Sequence, residues 1–135
     1  MVTTSKVSTD LLETLANYVF NNYRHMSVGT GTTALSGGET VLPNAVQIGI
    51  SDFNKILETG TTGSSLSGRT ALYKFKLTSG EPNTLPVNIG NVGLVDNSGN
   101  GSKLAVGGVF ATTATKDNLS QWVIRAEVKI RRIDE

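Results

Sequence analysis

The sequence predicts a mainly β fold, an antiparallel β-sandwich or flattened barrel with one N-terminal amphipathic α-helix. Three observations carry this. Only one segment has helical periodicity, the later segments alternate apolar and polar residues, and Gly, Asn, Ser and Thr crowd the stretches between them. A doubly wound fold needs several crossover helices, and the sequence offers one. The 135 residues fit a single domain, 1–135, with the helix at about 8–22 and the sandwich at about 25–133. No internal repeat is evident.

The helix is read from Ser8 to Asn22. Leu11, Leu12, Leu15, Tyr18 and Val19 form one apolar stripe, Asp10 and Glu13 resemble a capping pair, and Asn21-Asn22 is a stop. His25 to Val28 reads as a short strand that ends in Gly29-Thr30-Gly31. A loop follows from Ala34 to Pro43, and Val46 to Ile50 is expected as another strand. Glu58 to Gly68, rich in Thr, Ser and Gly, reads as a mobile loop.

The second half is clearer. Ala71, Tyr73, Phe75 and Leu77 alternate with Leu72, Lys74 and Lys76, the pattern of a half-buried strand. Glu81-Pro82-Asn83 makes a turn before a strand from Val87 to Val95, in which Gly90 and Gly93 suggest a bulge or a close backbone approach. Asp96 to Gly101 is a strong turn, so that strand should form a hairpin with Leu104 to Ala111. Trp122, Ile124, Ala126, Val128 and Ile130 alternate with Val123, Arg125, Glu127, Lys129 and Arg131, giving a last strand with an apolar and a charged face.

Composition narrows the function. Charged residues make up 17% and hydrophobic residues 38%, and the formal net charge is +1, so no global field draws the chain to nucleic acid or anionic lipid. Cysteine is absent, which removes disulfides, thiolate nucleophiles and cysteine-ligated zinc. Met1 to Lys6 has no apolar signal region, and no apolar run approaches the roughly 20 residues of a membrane span. Asn100-Gly101-Ser102 and Asn118-Leu119-Ser120 match a glycosylation pattern that, without a signal region, is read as plain turn sequence.

Chemistry-bearing motifs are sparse. Gly29-x-Gly31-x-x-Ala34 matches a dinucleotide fingerprint in spacing, but Leu35-Ser36-Gly37-Gly38 cannot supply the helix whose N-terminus would meet a pyrophosphate. His25 is the only histidine, and no nucleophile-elbow pattern accompanies it, so a strand residue is the better reading. Asp10, Glu13 and Asp96 are explained by caps and turns, and Asp134 and Glu135 by a solvated terminus. The expectation is therefore no enzyme, no cofactor and no metal. Arg125, Lys129, Arg131 and Arg132 gather near the C-terminus and are the candidate protein-interaction residues. Glu127 interrupts that patch, which otherwise reads as the wet face of the last strand. Together with the helix Asp10 to Asn22 and the loop Glu58 to Gly68, that face is where subunit contact is expected.

The order of motifs resembles one known family. Arg24-His25-Met26-Ser27-Val28-Gly29-Thr30-Gly31, after a helix, resembles the "T-H-M-A-V-G-D-G" signature in the N-terminal region of phage tail-collar fibre proteins. Leu42-Pro43-Asn44-Ala45-Val46 is similar to the family's "L-x-N-x-V", and Ile89 to Asp96 to its "I-x-E-V-G-L-F-D". Lys103-Leu104-Ala105-Val106-Gly107 and Trp122 to Val128 resemble its "L-I-A-V-G" and "L-V-I-R-V-V-L-E-V" strands. Thr30 and Asn91 stand where the signature has acids, so any contact those acids make is not carried over. The resemblance implies a structural protein of a tailed virus particle, in the tail, fibre base or baseplate. It would reside in the virion and assemble with itself, as a homo-oligomer or in many lattice copies, and with other virion proteins. A capsid decoration protein is the alternative, and a carbohydrate-binding sandwich a more distant one.

Overall fold

The computed structural model describes residues 7–132. Helix α1 (Thr9–Asn22) leads into β1 (His25–Gly29), two short strands β2 (Ala45–Val46) and β3 (Lys55–Ile56), and β4 (Ser65–Ser67). Four longer strands follow: β5 (Thr70–Leu77), β6 (Val87–Val95), β7 (Leu104–Lys116) and β8 (Trp122–Lys129). All pairings are antiparallel. One sheet runs β2-β1-β6-β7 with β3 also on β1, and the second runs β4-β5-β8. The mainly β sandwich with one N-terminal helix expected from the sequence is the fold observed.

The helix starts at Thr9, two residues before an Asp10 cap would place it, because Ser8 is the cap. Its hydroxyl accepts from Leu11 N at 3.1 Å. The buried stripe is also not the expected one. Leu12 and Ala16 are buried and Phe20 packs on the core, whereas Leu11, Leu15 and Tyr18 are 49%, 45% and 58% exposed. The helix therefore carries two apolar stripes about 100° apart and buries one. Two further expectations change. Of Val46 to Ile50 only Val46 joins a strand, as the second residue of β2, and the loop Glu58 to Gly68 contains β4. Gly68, at φ 57°, turns β4 back onto β5, with Ser67 opposite Thr70.

The core lies between the sheets. Ala71, Tyr73, Phe75 and Leu77 of β5 are all buried, as their alternation predicts, and face Met26, Val28, Ile89 and Leu94 of the first sheet. The Phe20 and Phe75 rings lie 5.4 Å and 6.0 Å from that of Tyr73. Tyr73 donates its hydroxyl to Val19 O at 3.1 Å, which fastens the helix to β5, and burial pushes the phenol pKa up to about 12.

A bulge in β6 lets one strand serve this core along its whole length. The register with β7 shifts between Ile89 and Asn91. Gly90 of β6 and residues 110–113 of β7 are left unpaired there, and along β6 the alternation reverses, so Val87 and Ile89 on one side and Val92 and Leu94 on the other all reach the core. At the bulge, a Cβ on Gly90 would overlap the carbonyl of Gly31, so the position admits no side chain. On the outer face, Gly93 and Gly107 are paired, and Leu42 and Leu104 seat over the first and Leu35 over the second. At the far end Lys116 is fully buried, with its ammonium donating to Asp117 O at 2.8 Å and Thr78 O at 3.0 Å.

Phe75→Ala should lower unfolding stability by about 3–5 kcal/mol, because it empties the centre of this packing. Lys76→Ala, on the opposite face of the same strand, should change it by less than about 0.5 kcal/mol. Urea unfolding of the two variants checks the assigned faces, and equal losses would contradict them.

Candidate interaction surface

The second sheet has three strands, and it is too narrow to cover the first. On the β4 side the gap is filled by α1. On the opposite side β7 and β8 both lie at sheet edges, and they are not paired with each other. Between them lies an apolar cleft of about 340 Å³, lined by Val92, Leu94, Val106, Phe110, Ile124 and Val128 among others. The expected apolar face of the last strand is thus only half-buried at Trp122, Ile124, Ala126 and Val128, while Val106 and Phe110 above it stay 44% and 38% exposed. Sequence alternation identified this face correctly, but among the described residues no strand covers it.

The four candidate basic residues separate into two groups. Arg125 and Lys129 project from the outer face of β8, exposed, opposite Lys74 and Thr70 of β5. Lys74 faces Arg125 directly, so like charges oppose each other across the ladder with no intervening acid. Neither Arg125, Lys129 nor Glu127 makes a hydrogen bond or ion pair among the described residues. Arg131 is exposed beyond the strand. Arg132 serves elsewhere: its Nε donates to Val7 O at 2.8 Å and a terminal nitrogen to Thr9 Oγ1 at 3.1 Å, tying the end of the chain to the start of the helix. The expected solvated terminus at Asp134 and Glu135 lies outside the described residues, as does the Met1 to Lys6 segment.

The helix contributes a second exposed apolar strip. Val7, Leu11, Leu15 and Tyr18 follow one another at spacings of four, four and three, and each is at least 44% exposed. The sequence held the signal for this strip, but periodicity alone merged it with the buried stripe that is one residue away.

The positions weighed for chemistry do not converge on a reaction centre. His25 lies between Ile56 and Val95 in the sheet, and its buried Nδ1 has no hydrogen-bond partner. Burial lowers its pKa below the usual 6.5, and Arg24 adds to that effect, against the opposing pull of Asp52 and Asp96. After Gly29-Thr30-Gly31 the chain runs on without a helix, so the dinucleotide geometry is not built. Instead the side chain of Asn91, which is paired with Gly29, fills the space where side chains at Gly29 and Gly31 would be, and donates to Pro43 O at 2.9 Å. Among the described residues, no three His, Cys, Asp or Glu side chains gather as metal ligands, and no helix is long and apolar enough to cross a membrane.

One ion pair pins the loop region to the turn before β6. Lys55 Nζ lies 2.8 Å from Glu81 Oε1, and that carboxylate also accepts from Thr78 N at 2.9 Å. Burial acts to raise the Glu81 pKa, and the Lys55 and Thr78 hydrogen bonds with the Lys55 charge outweigh it, leaving it below the usual 4.5. No known protein family matches the chain, and no curated protein resembles it significantly.

These two shifts fix the sign of the pH dependence. His25 has a folded pKa below its unfolded one, so the unfolded chain takes up its proton first, and stability falls as pH drops through about 6.5. The Glu81 contribution is intact above its unfolded pKa near 4.5 and is lost as pH falls further, through the folded value. In urea titrations across pH, His25→Gln should flatten the limb below neutrality, and Glu81→Gln only the acid limb.

Proposed function

We propose that this chain is a structural module of a tailed virus particle, working through contacts with its own kind and with other virion proteins, and not as an enzyme. The observation that carries this reading is the amount of apolar surface the fold leaves uncovered. The Val7-Leu11-Leu15-Tyr18 strip and the open β7–β8 side of the sandwich are both larger features than scattered exposed apolar residues, and such patches on a small domain mark protein contact. The ordered resemblance to the tail-collar fibre signature supplies the kind of assembly. Low charge density suits it, because closely packed copies must tolerate one another's fields.

Tailed particles purified from the host that carries the gene should contain the chain at fixed stoichiometry, read by mass spectrometry. Antibody labelling should place it at the tail or fibre base; labelling over the head would instead give the decoration role. Leu11→Lys with Leu15→Lys should leave the unfolding midpoint nearly unchanged and reduce incorporation at least about tenfold, since the change falls on exposed positions. Particles that lack the wild-type chain altogether would defeat the proposal.

A further inference from the structure

The open side of the sandwich has a self-complementary edge. The N–H of Ile130 donates to Arg69 O at 3.0 Å, and this fixes which β8 residues bond to β5. By the alternation of an antiparallel ladder, the even-numbered residues of β8 point their backbone groups at β5. The N–H and C=O groups of Val123, Arg125, Glu127 and Lys129 are therefore turned to the free edge.

We propose that two copies of the chain pair antiparallel along this edge, about a two-fold axis through Ala126, so that the two three-stranded sheets become one continuous sheet. This inference deepens the assembly reading by naming one of its self-contacts. In this register Arg125 lies opposite Glu127 of the partner subunit, and the two-fold repeats the pair the other way round. Val123 lies opposite Lys129 of the partner subunit. These are the hydrogen-bonded pairs, each exchanging two backbone bonds. The axis itself falls on a close, non-hydrogen-bonded pair, where the small Ala126 side chain fits.

The neighbouring registers are worse. Centring the axis on Arg125 or Glu127 sets like charges face to face at the axis, and centring it on Val128 offsets its Glu127–Lys129 pairs by opposing Arg125 to Arg131 of the partner subunit. Burial agrees with the charges. On the inner face Ile124 meets Val128 of the partner subunit, and these apolar side chains enter the cleft beneath Val106 and Phe110, covering the half-exposed row. The other edges are poorer templates. β4 has three residues, and in β7 residues 110–113 have no partners in the ladder with β6, between the pairs Asn91–Val109 and Ile89–Ala114. A second copy thus satisfies three conditions at once: free backbone groups, an uncovered apolar row and unpaired charges of both signs.

The chain has no cysteine, so a single introduced one reports the register directly. Ala126→Cys in the full-length protein should form a disulfide-linked dimer under mild oxidation, because the symmetric pair brings the two Cβ atoms within bonding range. Lys129→Cys, which faces Val123 of the partner subunit, should remain uncrosslinked under the same conditions. Sedimentation across concentration gives the equilibrium. Arg125→Glu should weaken the dimer about tenfold or more by creating two like-charge pairs, and Arg125→Glu combined with Glu127→Arg should restore it to within about threefold. A folded protein that stays monomeric, with no crosslink at residue 126, overturns this contact. If that monomer is still incorporated into particles, the assembly reading stands without it. A dimer with charge-swap rescue, in a protein absent from particles, supports the contact and defeats the virion reading.

Discussion

The row Ala71, Tyr73, Phe75 and Leu77 on the inner face of β5 is the packing on which the other elements depend. All four side chains are buried in one cluster with the first sheet, and Tyr73 also meets the helix through Phe20 and Val19. Full burial of a side chain of this size contributes about 1.5–3 kcal/mol, several times the value of a typical surface ion pair. β5 is also the central strand of its sheet, flanked by β4 and β8. With β5 packed on its inner face and paired along both edges, the lesser elements are positioned by reference to it.

The same arrangement explains why the molecule is closed on one side and open on the other. A three-stranded sheet cannot match the width of its partner, and one helix can fill only one of the two gaps. The helix takes the side nearer β4, held by the Tyr73 hydroxyl, and leaves β7 overhanging β8. Isolated edges of this kind favour uncontrolled strand pairing. Here the charged row Arg125, Glu127 and Lys129 restricts which pairing is favourable, so the residues that keep the edge soluble also give it a preferred register.

The Gly29-Thr30-Gly31 turn shows how one motif has different readings at different levels. As sequence it matches a dinucleotide fingerprint in spacing and resembles a tail-collar signature. In the fold it is the seat of a buried asparagine: a side chain on either glycine would strike Asn91, whose amide is occupied by Pro43 O. A side chain at Gly29 or Gly31 would therefore displace the contact that joins the loop after β1 to β6.

Sequence alone determined the fold class, the long strands and the helix, because period-2 and period-3.6 patterns report burial on one face directly. Its glycines also marked β6 as irregular or closely approached, which holds at Gly90, and Asp96 to Gly101 marked the turn before β7. Other features were decided only by tertiary structure. Leu11 and Leu12 are chemically identical neighbours, so their pattern could not say which of them meets the core; the angle at which the helix docks on Tyr73 chose Leu12. Likewise Arg125 and Arg132 read as one basic cluster, yet strand geometry aims the first at solvent, while the chain's return to the helix start gives the second to Val7 and Thr9. The alternation of β8 declared an apolar face but not whether anything covers it, since burial depends on which strands lie opposite, and that is a property of the sheet order.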